Sequence, residues 1–245
     1  MKKYMFLFVF TFFFALTFNT SAQINELIKG AKDKLTGNKP GSGEMTDDKV
    51  ASGLKEALTI GSKNAVDIVS QVDGYFGNDL IKIPLPQELR TIESAARNFG
   101  LGAQFDELIL TMNRSAETAA KSATPILIDA ITGITITDAM TILKGRENEA
   151  TLYFRDRTES KLSETFKPIV SSAMNQVGVT KTYNDLAAGI KKIPFIKLNV
   201  TNIEDYVTAK ALDGLFTMIS LEEKKIRENP AARITDLLKD VFGGI

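Results

Sequence analysis

The stretch TNIEDYVTAKALDGLFTMISLEEKKIR, residues 201–227, decides the fold of this chain. Thr201-Asn202-Ile203-Glu204 predicts a helix start, because a Thr and a Glu three residues apart can reciprocally satisfy free backbone amides in a capping box. The apolar residues that follow recur at helical spacing and cover more than half of the helix circumference, which is wider than a surface helix needs. They are Ile203, Val207, Ala211, Leu212, Leu215, Phe216, Met218, Ile219 and Leu221. We therefore predict that this is the central helix of the fold.

Helical periodicity extends through most of the chain that precedes this stretch. Apolar residues recur at i, i+3 and i+4, whereas strict apolar alternation never lasts long enough to indicate a sheet. The sequence predicts an all-α fold, with residues 46–245 forming a single globular bundle of about ten helices around the central one. Pro168 is expected to kink its helix, because proline removes a backbone hydrogen bond. The predicted helices lie near 46–72, 87–99, 103–121, after Thr124-Pro125, from Thr137 to Gly145, and near 147–158, 161–177, 181–190 and 230–243.

Residues 1–22 have the pattern of a signal peptide. Lys2 and Lys3 precede an apolar run that ends at Phe18, and Thr20-Ser21-Ala22 supplies small residues for cleavage. The run is about 15 residues, shorter than the roughly 20 of a spanning helix, so we expect cleavage rather than a retained anchor. No other segment is expected to span a membrane. The mature protein would then be periplasmic or secreted, and its lack of cysteine excludes a lipid anchor at a post-signal Cys.

Residues 23–45 are expected to form a separate N-terminal region. A short amphipathic helix is predicted near 24–35, and the Gly/Pro/Ser-rich residues from Gly37 to Gly43 are typical of a linker. The sequence leaves open whether this helix docks on the globular domain or acts as a tether.

Composition excludes several classes of chemistry. The chain has no His and no Cys, so imidazole bases, thiolate nucleophiles and the usual zinc, copper and haem ligands are absent. We predict no metal site and no cofactor. The 30 basic and 30 acidic residues balance, and removal of Lys2 and Lys3 leaves a slight acidic excess without a basic stripe. Nucleic acid is therefore not the expected partner.

Two loops interrupt the helical pattern. DGYFGND at residues 73–79 precedes LIKIPLP at residues 80–86, and KKIPFIK at residues 191–197 resembles the second of these strings. Proline keeps such segments extended. Tyr75 and Phe76 can be ligand contacts, although aromatic residues in a long loop more often pin it onto the core. Ligand-binding candidates in and near the first loop and on the polar face of the central helix are Asp73, Tyr75, Phe76, Asn78, Asp79, Lys82, Tyr206, Lys210 and Asp213.

Several strings of the chain resemble one known family. They include DGYFGN from residue 73, LIKIPLP from residue 80, MNRSAE from residue 112, DAMTILKG from residue 138 and YVTAKALDGLF from residue 206. Over about residues 49–243 the chain is similar to the bacterial envelope family catalogued as domain of unknown function 4197. The resemblance implies a helical, exported bacterial protein, and it supplies no catalytic residues.

Three functions remain open at the level of sequence. The first is a non-enzymatic envelope module that binds a protein, a lipid or a small ligand through the two loops. The second is a carboxylate-dependent enzyme of hydrolase or lyase type, which requires two carboxylates in one cleft. Its candidate residues are Asp213, Glu222, Glu223, Arg155 and Arg227, although Glu223 and Arg227 at i, i+4 are also typical of an ordinary surface pair. The third is a structural or assembly role, with the oligomeric state undetermined.

Overall fold

The computed structural model describes residues 46–98, 100, 102–176, 181, 183–184 and 202–228, and within these ranges the fold is all-α, with seven helices and no strand. The helices are α1 (Asp47–Val69), α2 (Gln87–Asn98), α3 (Gly102–Ala120), α4 (Ala123–Thr132), α5 (Ile136–Lys144), α6 (Glu149–Gln176) and α7 (Ile203–Glu228). The predicted fold class is confirmed, but the predicted number of about ten helices is not matched.

One reason for the smaller number is that two predicted helices are one. The segments near 147–158 and 161–177 form the continuous helix α6, and Pro168 lies inside it without ending it. The predicted helices near 24–35 and 230–243 lie outside the described residues, as does most of the one near 181–190. The region of residues 1–45 and the loop of residues 191–197 also lie outside them.

Helix α1 begins where the sequence predicted. Thr46 has an extended backbone and its hydroxyl accepts a hydrogen bond from the Lys49 amide, while Asp47 and Asp48 occupy the first turn. A hydroxyl at this position satisfies one of the free amides of a helix start, and the two carboxylates suit the positive end of its dipole. The predicted N-cap is confirmed.

Helix α7 packs against three helices: α6, α1 and α3. Thirteen of its residues are buried, and they lie on every side of the helix except a polar stripe. Its cap differs from the predicted capping box. The side chain of Asn202 accepts hydrogen bonds from the Glu204 and Asp205 amides at 2.9 and 3.2 Å, so the helix begins one residue later than expected. Asn is among the strongest N-caps, which accounts for the shift.

Candidate functional site

The loop of residues 70–86, which connects α1 to α2 and which we name the Asp73 loop, is fixed to the core by Tyr75. This side chain is fully buried, and its hydroxyl donates a 2.6 Å hydrogen bond to the Ala211 carbonyl of α7. Burial, and secondarily the nearby Glu117 carboxylate, raise the pKa of the Tyr75 phenol. Gly214 makes the contact possible, because a Cβ there would lie 2.5 Å from the Tyr75 ring. The geometry favours the interpretation of Tyr75 as a plug rather than a ligand contact.

A buried carboxylate on α3 holds the first half of the Asp73 loop. Glu117 Oε1 accepts the backbone amides of Tyr75 and Phe76 at 3.1 and 3.2 Å. Its other oxygen forms a 2.7 Å ion pair with Arg114, and only 5% of the Glu117 side chain is exposed. Water has little access to this part of the loop. The Glu117 carboxylate therefore takes the place of water as the hydrogen-bond acceptor of the two turn amides.

Asp73 gives the loop its unusual turn. Its φ of 67° lies in the left-handed region, which non-glycine residues seldom adopt. Its carboxylate forms a 2.7 Å ion pair with Arg114, so one guanidinium joins Asp73 to Glu117. The next residue must be Gly74, because a Cβ there would lie 2.5 Å from the Ile68 carbonyl. The turn is thus held in a strained conformation by contacts to α3.

The second half of the Asp73 loop is held by an amide and a phenol. The fully buried Asn113 side chain accepts the Ile83 amide at 2.8 Å and donates to the Ile83 carbonyl at 3.0 Å, much as a neighbouring strand would. Tyr206 of α7 donates to the Pro84 carbonyl at 3.0 Å. Burial raises the pKa of Tyr206, so this phenol remains a donor at neutral pH.

Three further candidates in the Asp73 loop take part in local contacts. The Lys82 ammonium lies 4.1 Å from the centre of the Phe76 ring, and the Arg114 guanidinium lies 5.7 Å from it. The half-buried Phe76 is therefore covered by two cations. Asn78 accepts the Leu80 amide through its side chain and donates to the Met218 sulfur at 3.7 Å.

Apolar side chains remain exposed around this firmly held loop. The exposed fraction is 76% for Val72, 72% for Leu80 and 36% for Ile68. A concavity of about 390 Å³ lies beside Ile68 and Val72, and its walls carry carboxylates and no cation. It is lined by Ile68, Gln71, Val72, Asp73, Gly74, Gly77, Asn78 and Asp79.

The polar face of α7 carries a separate exposed cluster. Asp213 is half exposed and accepts from Arg155 of α6 at 3.2 Å and from Lys210, at i, i+3 on the same helix, at 3.4 Å. The Arg155 guanidinium also lies 4.8 Å from the centre of the Phe216 ring. Asp213 thus lies between two cations, in contact with solvent.

Glu223 and Arg227 are not the surface pair that their spacing suggested. Their side chains are only 4% and 17% exposed, and they join at 2.8 Å. Glu223 accepts the Ala150 and Thr151 amides at 3.0 and 2.9 Å, and so caps the start of α6. Arg227 donates to the Ile142 carbonyl at 2.8 Å and so caps the end of α5. Sequence analysis missed these capping roles, because both caps come from α7, which is distant from α5 and α6 in the chain.

Glu222 faces a different neighbour, in a groove between α1 and α7. Its buried carboxylate accepts from Asn64 of α1 at 3.2 Å and pairs with Lys225 at 2.5 Å. The groove has a volume of about 470 Å³ and is lined by Ile60, Asn64, Asp67, Ile68, Glu222, Lys225 and Ile226.

The carboxylates proposed for catalysis do not converge. Asp213 faces Arg155, Glu222 faces Asn64, and Glu223 faces the start of α6. Nine helical residues also separate Asp213 from Glu222, which is about 14 Å along the axis. The described carboxyls with a displaced pKa all shift downward, because each accepts hydrogen bonds from Arg or Thr partners. They are Asp106, Asp138 and Glu149.

Within the ranges that the structure describes, acidic side chains form no group of three able to hold a metal ion. No single helix of those ranges is long and apolar enough to cross a membrane. Helices α4 and α5 pass that test only as a pair, across a 105° bend.

A scan against models of protein families matches residues 44–243 to the family described as "Protein of unknown function (DUF4197)". The chain belongs to this family. The resemblance predicted from the sequence is therefore confirmed, and the match runs through all seven helices. Searches of the curated proteins and of the solved structures each found no match.

In this member of the DUF4197 family, sequence reasoning missed the residues that hold the Asp73 loop. Asn113, Arg114 and Glu117 all lie on α3 at positions a helix would bury or half bury. The available signal was a polar residue at helical spacing from apolar ones, since Asn113 lies four residues after Ile109 and three before Ala116. Such residues are usually hydrogen-bonded to backbone.

Proposed function

We propose that this protein is an exported, non-enzymatic interaction module of the bacterial cell envelope, with its contact surface on the Asp73 loop. One observation carries the proposal: a tightly held loop exposes the apolar residues Val72 and Leu80, and Val72 lines one concavity with the exposed Ile68 at the end of α1. Exposed apolar side chains that cluster, rather than scatter, are typical of a binding surface.

The way the Asp73 loop is held supports recognition. Glu117, Asn113 and Tyr75 fix its backbone through five hydrogen bonds to α3 and α7. A loop that is already ordered loses little conformational entropy when a partner binds. The strained backbone at Asp73 is also maintained rather than relaxed, as at many functional turns.

The carboxylates favour binding over catalysis as the proposed role. Glu223 is engaged by two backbone amides, the Thr151 hydroxyl and Arg227, so its oxygens serve the junction of α5 and α6. A general acid or base needs a free position near a reacting atom. The hydrolase or lyase alternative therefore has no geometric support in the described residues.

Melting temperature, measured with and without fractions of native envelope extract, tests this proposal on residues 23–245. A fraction that contains the partner should raise the melting temperature, because a ligand of the folded state stabilises it. The double variant Val72→Ser/Leu80→Ser should lose that shift, since it removes the exposed apolar contacts without touching the buried ones.

The matched control is Leu110→Ser/Ile136→Ser, which removes two exposed apolar side chains on α3 and α5. It should keep the shift. If no fraction raises the melting temperature, or if the control loses the shift as fully as the loop variant, the Asp73 loop is not the contact surface.

A further inference from the structure

The two concavities described above meet at Ile68, which lines both. They therefore adjoin, and their linings together run from Ile226 near the end of α7, along α1, to Asp79 in the Asp73 loop. We name these two adjoining concavities the acidic groove. Neither Val72 nor Leu80 is needed to form its α1–α7 part, so it extends beyond the surface proposed above.

Some carboxylates of the acidic groove are paired with cations and others are not. Glu222 is paired with Lys225, and Asp73 is paired with Arg114. Asp67 and Asp79 are exposed, and within the part of the chain that the structure describes neither forms an ion pair. Lys225 and Arg114 are thus engaged, and two carboxylates remain for a partner.

Its apolar side chains have helical spacing. Ile60 and Ile68 lie two turns apart on α1 with Asn64 between them, and Ile226 faces them from α7. A third helix can pack into the groove between two helices that lie side by side in this way. Its apolar residues at i, i+4 and i+7 would enter the groove.

We propose that the acidic groove binds a basic amphipathic helix of a partner protein. This inference rests on the proposed function and names the partner's chemistry. Lys or Arg on such a helix would pair with Asp67 and Asp79, while its Leu or Ile side chains contact Ile68 and the partly buried Ile60. An anionic lipid surface fits less well because the free carboxylates would repel it. Self-association through the same face would oppose like charges.

Fluorescence anisotropy with a labelled 14-residue Leu/Lys peptide of helical pattern tests the proposal on residues 23–245. The expected result is saturable binding that weakens with salt, as charge-paired recognition does. A Leu/Glu peptide of the same pattern should bind at least tenfold more weakly. Equal binding of the two peptides overturns the proposal.

Two variants locate the binding. Asp67→Asn/Asp79→Asn removes both free carboxylates and should weaken binding of the Leu/Lys peptide up to about tenfold, since two exposed ion pairs are lost. The control Asp129→Asn/Asp156→Asn removes two exposed carboxylates from α4 and α6 and should change binding less than twofold. Equal weakening in both double variants would show attraction by net charge alone and overturn the proposal.

Failure of this inference can be told apart from failure of the proposed function. Suppose that an envelope fraction raises the melting temperature, that Val72→Ser/Leu80→Ser removes the shift, and that Asp67→Asn/Asp79→Asn leaves it intact. The Asp73 loop then binds a partner that does not use the acidic groove. Two other results also overturn the inference. One is binding to vesicles of anionic phospholipid that the Asp67→Asn/Asp79→Asn variant retains. The other is a dimer, detected by sedimentation, that this variant abolishes.

Discussion

Single residues with several hydrogen bonds determine how the Asp73 loop is presented. Glu117 is the main one, because its two oxygens serve two loop amides and Arg114, which in turn pairs with Asp73. The left-handed backbone at Asp73 has no sequence-local cause such as glycine. It exists because α3 supplies the acceptor and the cation at the right place.

We expect Glu117→Ala to lower the free energy of unfolding by about 2–4 kcal/mol, because the Tyr75 and Phe76 amides then lack their acceptor. Urea denaturation measures the loss. Glu159→Ala, which removes a half-exposed partner of Arg155, should cost about 0.5 kcal/mol or less. Similar losses in the two variants would show that the Asp73 loop does not depend on Glu117.

Asp138 predicts a pH dependence. Its carboxylate accepts from the Thr135 amide and hydroxyl in the capping box of α5, and these bonds lower its pKa below the ordinary 3.8. A carboxyl with a lowered pKa in the folded state stabilises the fold above its unfolded pKa. That contribution is lost as the pH falls through the lower, folded pKa.

We therefore expect Asp138→Ala to reduce stability at pH 7, with the difference from wild type shrinking as the pH falls below about 4. Thermal melts between pH 7 and pH 3 provide the measurement. Asp156→Ala serves as control, since Asp156 is 84% exposed. A difference that stays constant over this range would contradict an electrostatic role for Asp138.

Among the elements, α7 organises the ends of its neighbours. Through Glu223 and Arg227 it caps the start of α6 and the end of α5 within one turn of its own length. Free amides at a helix start and free carbonyls at a helix end normally find local partners. Here one ion pair serves both ends, and it fixes the direction in which the chain turns between α5 and α6.

Glu223→Ala should speed amide hydrogen exchange at Ala150 and Thr151, because both amides lose their acceptor. Breaking the buried pair should also cost about 3–5 kcal/mol of stability. The control Glu228→Ala removes an exposed i, i+4 partner of Lys224 and should leave exchange at both amides unchanged. Unchanged exchange in Glu223→Ala itself would remove the capping role.

The packing of the Tyr75 ring against α7 provides a second prediction about this helix. Gly214→Ala should destabilise the protein by about 1–3 kcal/mol, because its Cβ would overlap the Tyr75 ring at 2.5 Å. Gly61→Ala is the matched control on α1. Its Cβ would meet the movable end of the Ile226 side chain at 3.2 Å and the Glu222 Cβ at an ordinary 3.4 Å, and alanine favours a helix. Chemical denaturation of both variants should show a clear loss for Gly214→Ala alone.

Helix positions were predictable to the extent that local rules govern them. Thr46 marked the start of α1, and the apolar pattern of α7 indicated how much of it is buried. The predicted break between residues 158 and 161 was wrong, since α6 continues through it while packed against α3 and α7. The choice of Asn202 over Thr201 as cap depends on a one-residue shift that pattern alone does not fix.

The candidate site was less predictable. The loop around Tyr75 was recognisable as unusual, but the Ala211 carbonyl that holds it lies 136 residues away. Glu223 and Arg227 have the spacing of a surface pair, and only their burial against α5 and α6 distinguishes them. Contacts of this kind depend on which helices meet, and helical periodicity carries no information about that choice.

At the scale of the whole molecule, the proposed export depends on the signal peptide pattern of residues 1–22. We expect the full chain, expressed in a Gram-negative host, to appear in the periplasm with an intact mass that begins at Gln23. Leu7→Arg/Phe10→Arg interrupts the apolar run and should keep the uncleaved chain in the cytoplasm. Cell fractionation with mass spectrometry measures both. A wild-type chain that stays membrane-bound at full length would show an anchor instead.

The position of α7 in the chain has a consequence for biogenesis. The helices that pack against it, α1, α3 and α6, are all synthesised before it. The apolar surface that these helices turn toward α7 therefore has no partner until residues 203–228 are made, although α3 and α6 can already contact each other. Closing the contact between Tyr75 and Ala211 must also await these late residues. The proposed export would benefit from this order of synthesis, because a narrow secretion channel admits a chain that has not finished packing.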